Sequence, residues 1–207
     1  MSSPLHAIPV YHITHVDNLA DIVSTGGLIS DILLGARPHS VIGYDNIKRR
    51  RMTEIQVGCC PGTFVGHFVP FYYCPRSPML YVVNQGRTGK PKGCQKDIVH
   101  LVTTVGQLVA LGHQWAISDS NAGSFYAQFS TQLADIGTLN WRAIQAPDWR
   151  GEVLGFKQAE FLVRDSVPWH VFNEIGCYDA NAVTRVTHEI RHAAHQPQMA
   201  VKKGWYY

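Results

Sequence analysis

Strand-like segments follow one another in this chain without long helices between them, and that order most restricts its fold. "IPVYHIT" (residues 8–14), "HFVPFYYCPRSPMLYVV" (67–83), "DIVHLVTTV" (97–105), "GFKQAEFLV" (155–163) and "WHVFNEIGCY" (169–178) are rich in β-branched and aromatic residues. The run 67–83 reads as two extended pieces broken at residues 74–78. Helical spacing is confined to short stretches. "DNLADIVSTGGL" (17–28) offers Asp17 as an N-cap and Gly26 and Gly27 as a stop. Residues 44–51 form a short helix or loop, another short helix falls near 107–111, and 120–136 and 179–195 read as helices. Residues 141–151, "WRAIQAPDWRG", read as a loop. A doubly wound parallel sheet needs regular alternation of strand and helix. The pattern predicts instead an α+β domain, a sheet flanked by short helices, and 207 residues fit one such domain spanning 1–207.

Within that pattern one residue is misplaced. Along "GFKQAEFLV", Ala159, Phe161 and Val163 point to one face. Gln158, Glu160 and Leu162 point to the other, and burying a carboxylate there is costly unless something requires it. Two basic clusters also stand out in a chain with only 16% charged residues and a net charge of +3. They are "KRRR" (48–51) and "RTGKPKGCQK" (87–96), each either a solvated loop or a phosphate-binding surface.

Several function classes are disfavoured. Residues 1–16 lack a basic region followed by an apolar core, so no signal peptide is expected. No apolar run approaches a membrane span. The five cysteines are an odd number without a CxxC pair, which reads as reduced thiols in the cytoplasm. "HEIRHAAH" contains His188, Glu189 and His192, a literal HExxH. A catalytic zinc needs a third ligand, and the fifteen residues after His192 include no Asp or Glu. His195 is poorly placed for the part, so a solvated helix face is expected and no metal.

"YHITHVDNLADIVSTGGL", the "RRRM" at 49–52, "HFVPFYYCPRSPMLY" and the late strand glutamate resemble the DarT-type DNA ADP-ribosyltransferase toxins, from about residue 10 to 192. The resemblance implies a split central β-sheet with NAD⁺ in its cleft. The missing GxGxxG agrees, because that fold does not hold NAD⁺ in the Rossmann manner. By resemblance, Glu160 is the catalytic glutamate and Arg51 the second catalytic residue. His12 matches a histidine that contacts the adenosine-side ribose. Ile13, Thr14, Asn18, Gly27 and Leu28 would help wall the NAD⁺ site. Phe71, Tyr72 and Tyr81 are each candidates to stack on nicotinamide. Residues 141–156 would form the loop that recognises the acceptor.

The family's acceptor is a base of single-stranded DNA, most often thymine at N3. A basic groove with aromatic platforms suits such a strand. Arg49, Arg50, Arg76, Arg87, Lys90, Lys92 and Arg150, with Tyr73 and Trp149, are the available pool, and Gln158 is a candidate to touch the base. The resemblance also implies a partner, an antitoxin whose macrodomain removes ADP-ribose; a monomer is expected. Three other readings stay open: the same fold acting on guanine, RNA or protein; a non-catalytic nucleic-acid module; and a zinc protease.

Overall fold

The computed structural model describes residues 4–42, 44–151 and 153–207. Its strands are β1 (Pro9–His15), β2 (Gly27–Ile29), β3 (Phe68–Tyr72), β4 (Ile98–Thr104), β5 (Trp115–Asn121), β6 (Phe129–Ser130), β7 (Ala159–Arg164), β8 (Ser166–Pro168), β9 (Glu174–Cys177) and β10 (Gln198–Val201). Its α-helices are α1 (Leu19–Ser24), α2 (Asp31–Leu34), α3 (Asp45–Thr53), α4 (Pro78–Asn84), α5 (Val105–Ala110), α6 (Trp141–Gln145), α7 (Val153–Phe156) and α8 (Ala180–Glu189). Among the described residues, eight strands form one sheet in the order β10-β9-β4-β1-β3-β7-β5-β6, and β2 pairs with β8 apart from it.

The sheet is split. β1 pairs with β4 along its whole length, from Pro9↔Thr104 to His15↔Ile98. β3 pairs with β7 from Phe68↔Arg164 to Tyr72↔Glu160. Between β1 and β3 the register holds only Tyr11↔Tyr72. The two half-sheets therefore meet near one point and diverge beyond it. β4 and β7 are buried along nearly their whole length. Strands covered on both faces read as continuous apolar runs, which is why both are visible in the sequence. Ala159, Phe161 and Val163 join the main core with Phe71 and Phe172, while Leu162 packs into a second cluster with Ile55, Val57, Val65 and Phe68.

Four sequence expectations change. Residues 78–84 are helix α4 rather than a second extended piece: the Ser77 hydroxyl accepts from the Leu80 amide at 3.3 Å and Pro78 opens the helix. Residues 120–136 are not a helix but the end of β5, a turn, β6 and a 3₁₀ turn over Leu133–Thr138. The 141–151 loop starts as α6, capped by Asn140 Oδ1 on the Ala143 amide at 3.0 Å. Asp17 does not cap α1, which starts later; its carboxylate pairs with Arg185 at 3.0 Å.

Candidate active site

The cleft opens where β1 and β3 diverge. It has a volume of about 520 Å³, and its lining includes His12, Ile13, Thr14, Asn18, Gly27, Leu28, Arg51, Tyr72 and Asn121. Each wall has a local cause. Gly27 has φ +149° and would drive a Cβ to 2.1 Å from the Val167 carbonyl oxygen, so only glycine lets β2 lie this close to β8. Asn18 joins two elements: its amide nitrogen donates to Thr14 Oγ1 at 3.1 Å and to the Ser40 carbonyl at 3.0 Å, and its Oδ1 accepts from the Ser40 amide at 2.7 Å. It thereby ties residues 36–42, a strap with no regular structure, into the cleft wall. Lys48 on α3 holds the same strap, contacting Asp31 at 3.1 Å and His39 Nε2 at 3.1 Å.

Glu160 is 1% exposed. Arg51 grips it with two hydrogen bonds, Nη1 to Oε1 at 3.1 Å and Nη2 to Oε2 at 2.9 Å. The Ala122 amide donates to Oε1 at 3.1 Å. The Glu160 amide donates to Ser118 Oγ at 3.0 Å, so the neighbouring strand fixes the backbone as well. A bidentate Arg–carboxylate pair is short and directional. Burial works against the charged Arg51, but the Glu160 charge and hydrogen bonds outweigh it and raise the guanidinium pKa. Arg51 and Tyr72, not Glu160 itself, line the cavity. The carboxylate therefore sits behind the guanidinium. Burial also lowers the His12 pKa, against the opposing pull of its bond to Pro70. The carbonyl of Pro70 can only accept, so His12 Nδ1 carries the proton in that 2.9 Å contact and Nε2 is left as an acceptor.

The aromatic candidates separate cleanly. Phe71 is fully buried in the core, and Tyr81 packs edge-on against Trp149 and Tyr207; neither lines the cleft. Tyr72 lines it, cross-strand from Glu160, and burial first and the Glu160 charge second raise its phenol pKa. Arg50 lies beside the pair, donating to the Gly123 carbonyl at 2.8 Å with its guanidinium 4.8 Å from the Phe125 ring. Arg49, Arg87, Lys92 and Arg150 are exposed, and Lys90 is partly so. Arg76 covers Tyr207 on a different cavity from the cleft. Gln158 Oε1 accepts from Asn121 Nδ2 at 2.7 Å. Glu152, within the loop 141–156, lies outside the described residues.

Other participants were not visible in sequence. Asn121 and Ala122 come from the strand end and turn that read as helix, and Ser118 from the part of β5 just before it. The exposed rings of Phe125 (65%) and Tyr126 (89%) follow on that turn. A short polar tail "SDSN" ending in "AG" was the available signal, since such clusters mark turns. The HExxH does not form a helical pair. α8 ends at Glu189, His188 and His192 are both exposed, and no three metal-ligating side chains converge among the described residues.

A split sheet, a cleft between its halves and a strand glutamate clasped by a helix arginine define an ADP-ribosyltransferase. The family model described as "DarT: ssDNA thymidine ADP-ribosyltransferase, DarT" matches residues 11–207. A DNA ADP-ribosyl transferase of Thermus sp. (strain 2.9) is 36% identical over 203 residues, covering 96% of each chain. One of Mycobacterium tuberculosis is 30% identical, covering 96% of this chain and 88% of its own. The structure of Thermus sp. 2.9 DarT in complex with ADP-ribosylated ssDNA superposes with a TM-score of 0.91 at 35% identity, covering 100% of this chain and 99% of the other. The same protein in complex with NAD⁺ gives 0.86 at 32% identity, with 100% of both chains covered. The chain belongs to the DarT family and is an NAD-dependent DNA ADP-ribosyltransferase.

Proposed function

We propose that this enzyme transfers ADP-ribose from NAD⁺ to N3 of thymine in single-stranded DNA, releasing nicotinamide, as the toxin of a toxin–antitoxin pair. The observation that carries the chemistry is the buried Arg51–Glu160 pair beside a cleft holding His12 and Tyr72. Cleaving the nicotinamide–ribose bond develops positive charge at the anomeric carbon. A fixed carboxylate favours that charge and can accept from the ribose 2-hydroxyl as it grows. Oε1 already takes two donors and Oε2 one, so Oε2 has the spare lone pair for this contact.

Thymine N3 is a poor nucleophile until its proton leaves, and Glu160 is the base within reach. The guanidinium screens the carboxylate from the cavity. In this reading Arg51 turns toward the diphosphate or the base when substrates enter, and uncovers Glu160. His12 Nε2 then accepts from the adenosine-side ribose, and Tyr72 supplies the ring against nicotinamide. A strand running past the pair would meet Arg49, exposed on α3, and Arg50, whose guanidinium packs on Phe125. Thermus DarT was solved with ADP-ribosylated ssDNA, which supports the same acceptor class here.

The toxin reading implies a macrodomain antitoxin that strips ADP-ribose from the product, and action as a monomer in the cytoplasm. Five free cysteines accord with a reducing compartment. No helix among the described residues is long and apolar enough to cross a membrane. Mass spectrometry of thymine-containing and thymine-free oligonucleotides after incubation with NAD⁺ tests the acceptor. One ADP-ribose adduct confined to strands with thymine is expected; equal labelling of both sets would refute the thymine assignment.

A further inference from the structure

A second cavity of about 610 Å³ lies on the far side of the same strand ends. Tyr72 at the end of β3 lines the cleft, while Tyr73, Cys74 and Arg76 line this second space. Lys157, two residues ahead of β7 and three ahead of Glu160, lines it too. Two polar groups there lack any partner and a third, a cation, lacks an anion. Lys157 is 3% exposed; its ammonium donates to the Ile144 carbonyl at 2.7 Å and meets the Cys74 thiol, and no carboxylate pairs with it among the described residues. The Tyr73 hydroxyl is buried without a hydrogen-bond partner, and so is Arg76 Nε. A buried cation without an anion is costly, and so is an unpaired buried donor. Three donors around one cavity call for an acceptor-rich, negatively charged occupant. The remaining walls are aromatic: Trp141 meets Tyr73 edge-on at 5.6 Å, and the Arg76 guanidinium lies 4.6 Å from the Tyr207 ring centroid. The volume lies within the usual range for a small-molecule site.

We propose that this cavity binds one nucleotide, its base among Trp141, Tyr73 and Tyr207 and its phosphate on Lys157 and Arg76. Resting on the DNA reading above, the nucleotide is one that flanks the target thymine in the strand, so that the cavity selects sequence context. A free mononucleotide has the same chemistry and is the other source.

The test is a fluorescence-anisotropy titration with single strands bearing one target thymine. An abasic site or an uncharged methylphosphonate is placed at each flanking position in turn, and thymidine 5′-monophosphate is titrated separately. One flanking position should matter, the abasic strand binding about tenfold more weakly. Lys157→Met should weaken the intact strand by a similar factor and erase the abasic penalty, and Lys157→Arg should restore both. Arg76→Gln, at the more accessible rim, should show the same loss in a smaller degree and serves if Lys157→Met does not fold. Lys157-dependent binding of the mononucleotide without any flanking effect in the strand assigns the cavity to a free nucleotide. If DNA is modified but no flanking position matters and the mononucleotide does not bind, the cavity is a water pocket and only the acceptor chemistry survives. If no strand is modified while the mononucleotide binds through Lys157, the acceptor reading fails and the cavity assignment stands.

Discussion

Arg51 and Glu160 are worth most as a pair. Side-chain exposures of 13% and 1% leave little water to screen either charge. Glu160→Gln keeps the shape and loses the negative charge, the proton acceptor and the counter-ion of Arg51. Transfer to an oligonucleotide should fall by a factor of about 10³ or more, the scale seen when a preorganised electrostatic group is removed. Near-normal turnover in a single-turnover assay would remove Glu160 from the mechanism. Stability responds separately. Taking away one partner of a buried pair costs about 3–5 kcal/mol because the other is stranded. Arg51→Met and Glu160→Met should each lower the urea midpoint strongly, whereas the double variant should lose less than the sum of the two. Additive losses would mean that the two side chains do not depend on each other in the folded protein.

Helix α3 carries Arg51 to its partner, and what seats α3 is the 3₁₀ turn over Val65–His67 that leads into β3. A Cβ on Gly66 would stand 2.7 Å from Met52 Cγ and 2.8 Å from Met52 Cα, the second being backbone that cannot swing aside. Gly66→Ala should push α3 outward and misplace Arg51, lowering transfer about a hundredfold for a shift near 1 Å. Circular dichroism would confirm a folded variant, and unchanged kinetics would show that α3 adapts. The same elements explain what could be read in advance. β4 and β7 were legible because both faces are buried, and β1 because its Val10, Tyr11 and Ile13 favour a strand. α4 was hidden because Tyr81, Val82 and Val83 favour strands, and Ser77–Pro78 was the cap that overrode them. β5 was hidden because Ser118 is polar yet fully buried, satisfied by the backbone of Glu160 and Ser120. A family pattern singled out Glu160, Arg51, His12 and Asn18, which the fold brings to the cleft or directly behind it. The choice between Phe71 and Tyr72 was not, since neighbouring strand residues face opposite ways and only the register decides which reaches the cleft. The Lys48–Asp31–His39 contacts depend on how the strap folds back, and no local periodicity encodes that.

Across the whole molecule the positive charge is dispersed rather than gathered into one groove. Arg49 and Arg50 precede Arg51 on α3, Arg76 lies at the second cavity, and Arg87 and Lys92 follow α4. A strand crossing the cleft would meet three or four of them, so the logarithm of its affinity should fall against the logarithm of salt with a slope of about −2 to −3. A slope near zero would deny the strand its phosphate contacts. The half-sheets are also joined at a distance from the cleft. His100 on β4 donates from Nε2 to the Pro75 carbonyl beyond β3 at 3.0 Å, and Nδ1 meets the Tyr206 hydroxyl at 3.3 Å. One imidazole thus links the first half-sheet, the extension of the second and the C-terminal tail. Burial pushes its pKa down from 6.5 to about 4, against the opposing hydrogen bonds to Pro75 and Gly176. Between those two values the unfolded chain binds a proton at this site and the folded chain does not, so stability rises with pH across the window and is lost on acidification. The slope from this group is about 1.4 kcal/mol per pH unit, on the order of 3 kcal/mol in total. His12, whose pKa burial also lowers, adds a contribution of the same sign. His100→Gln keeps a donor and an acceptor but cannot titrate. Urea unfolding of both proteins at intervals from pH 4 to 7 should give a wild-type curve that steepens below pH 6.5 and a variant curve that is flatter by that amount. Parallel curves would show that His100 is protonated in the folded protein, and that the join between the half-sheets tolerates a charge.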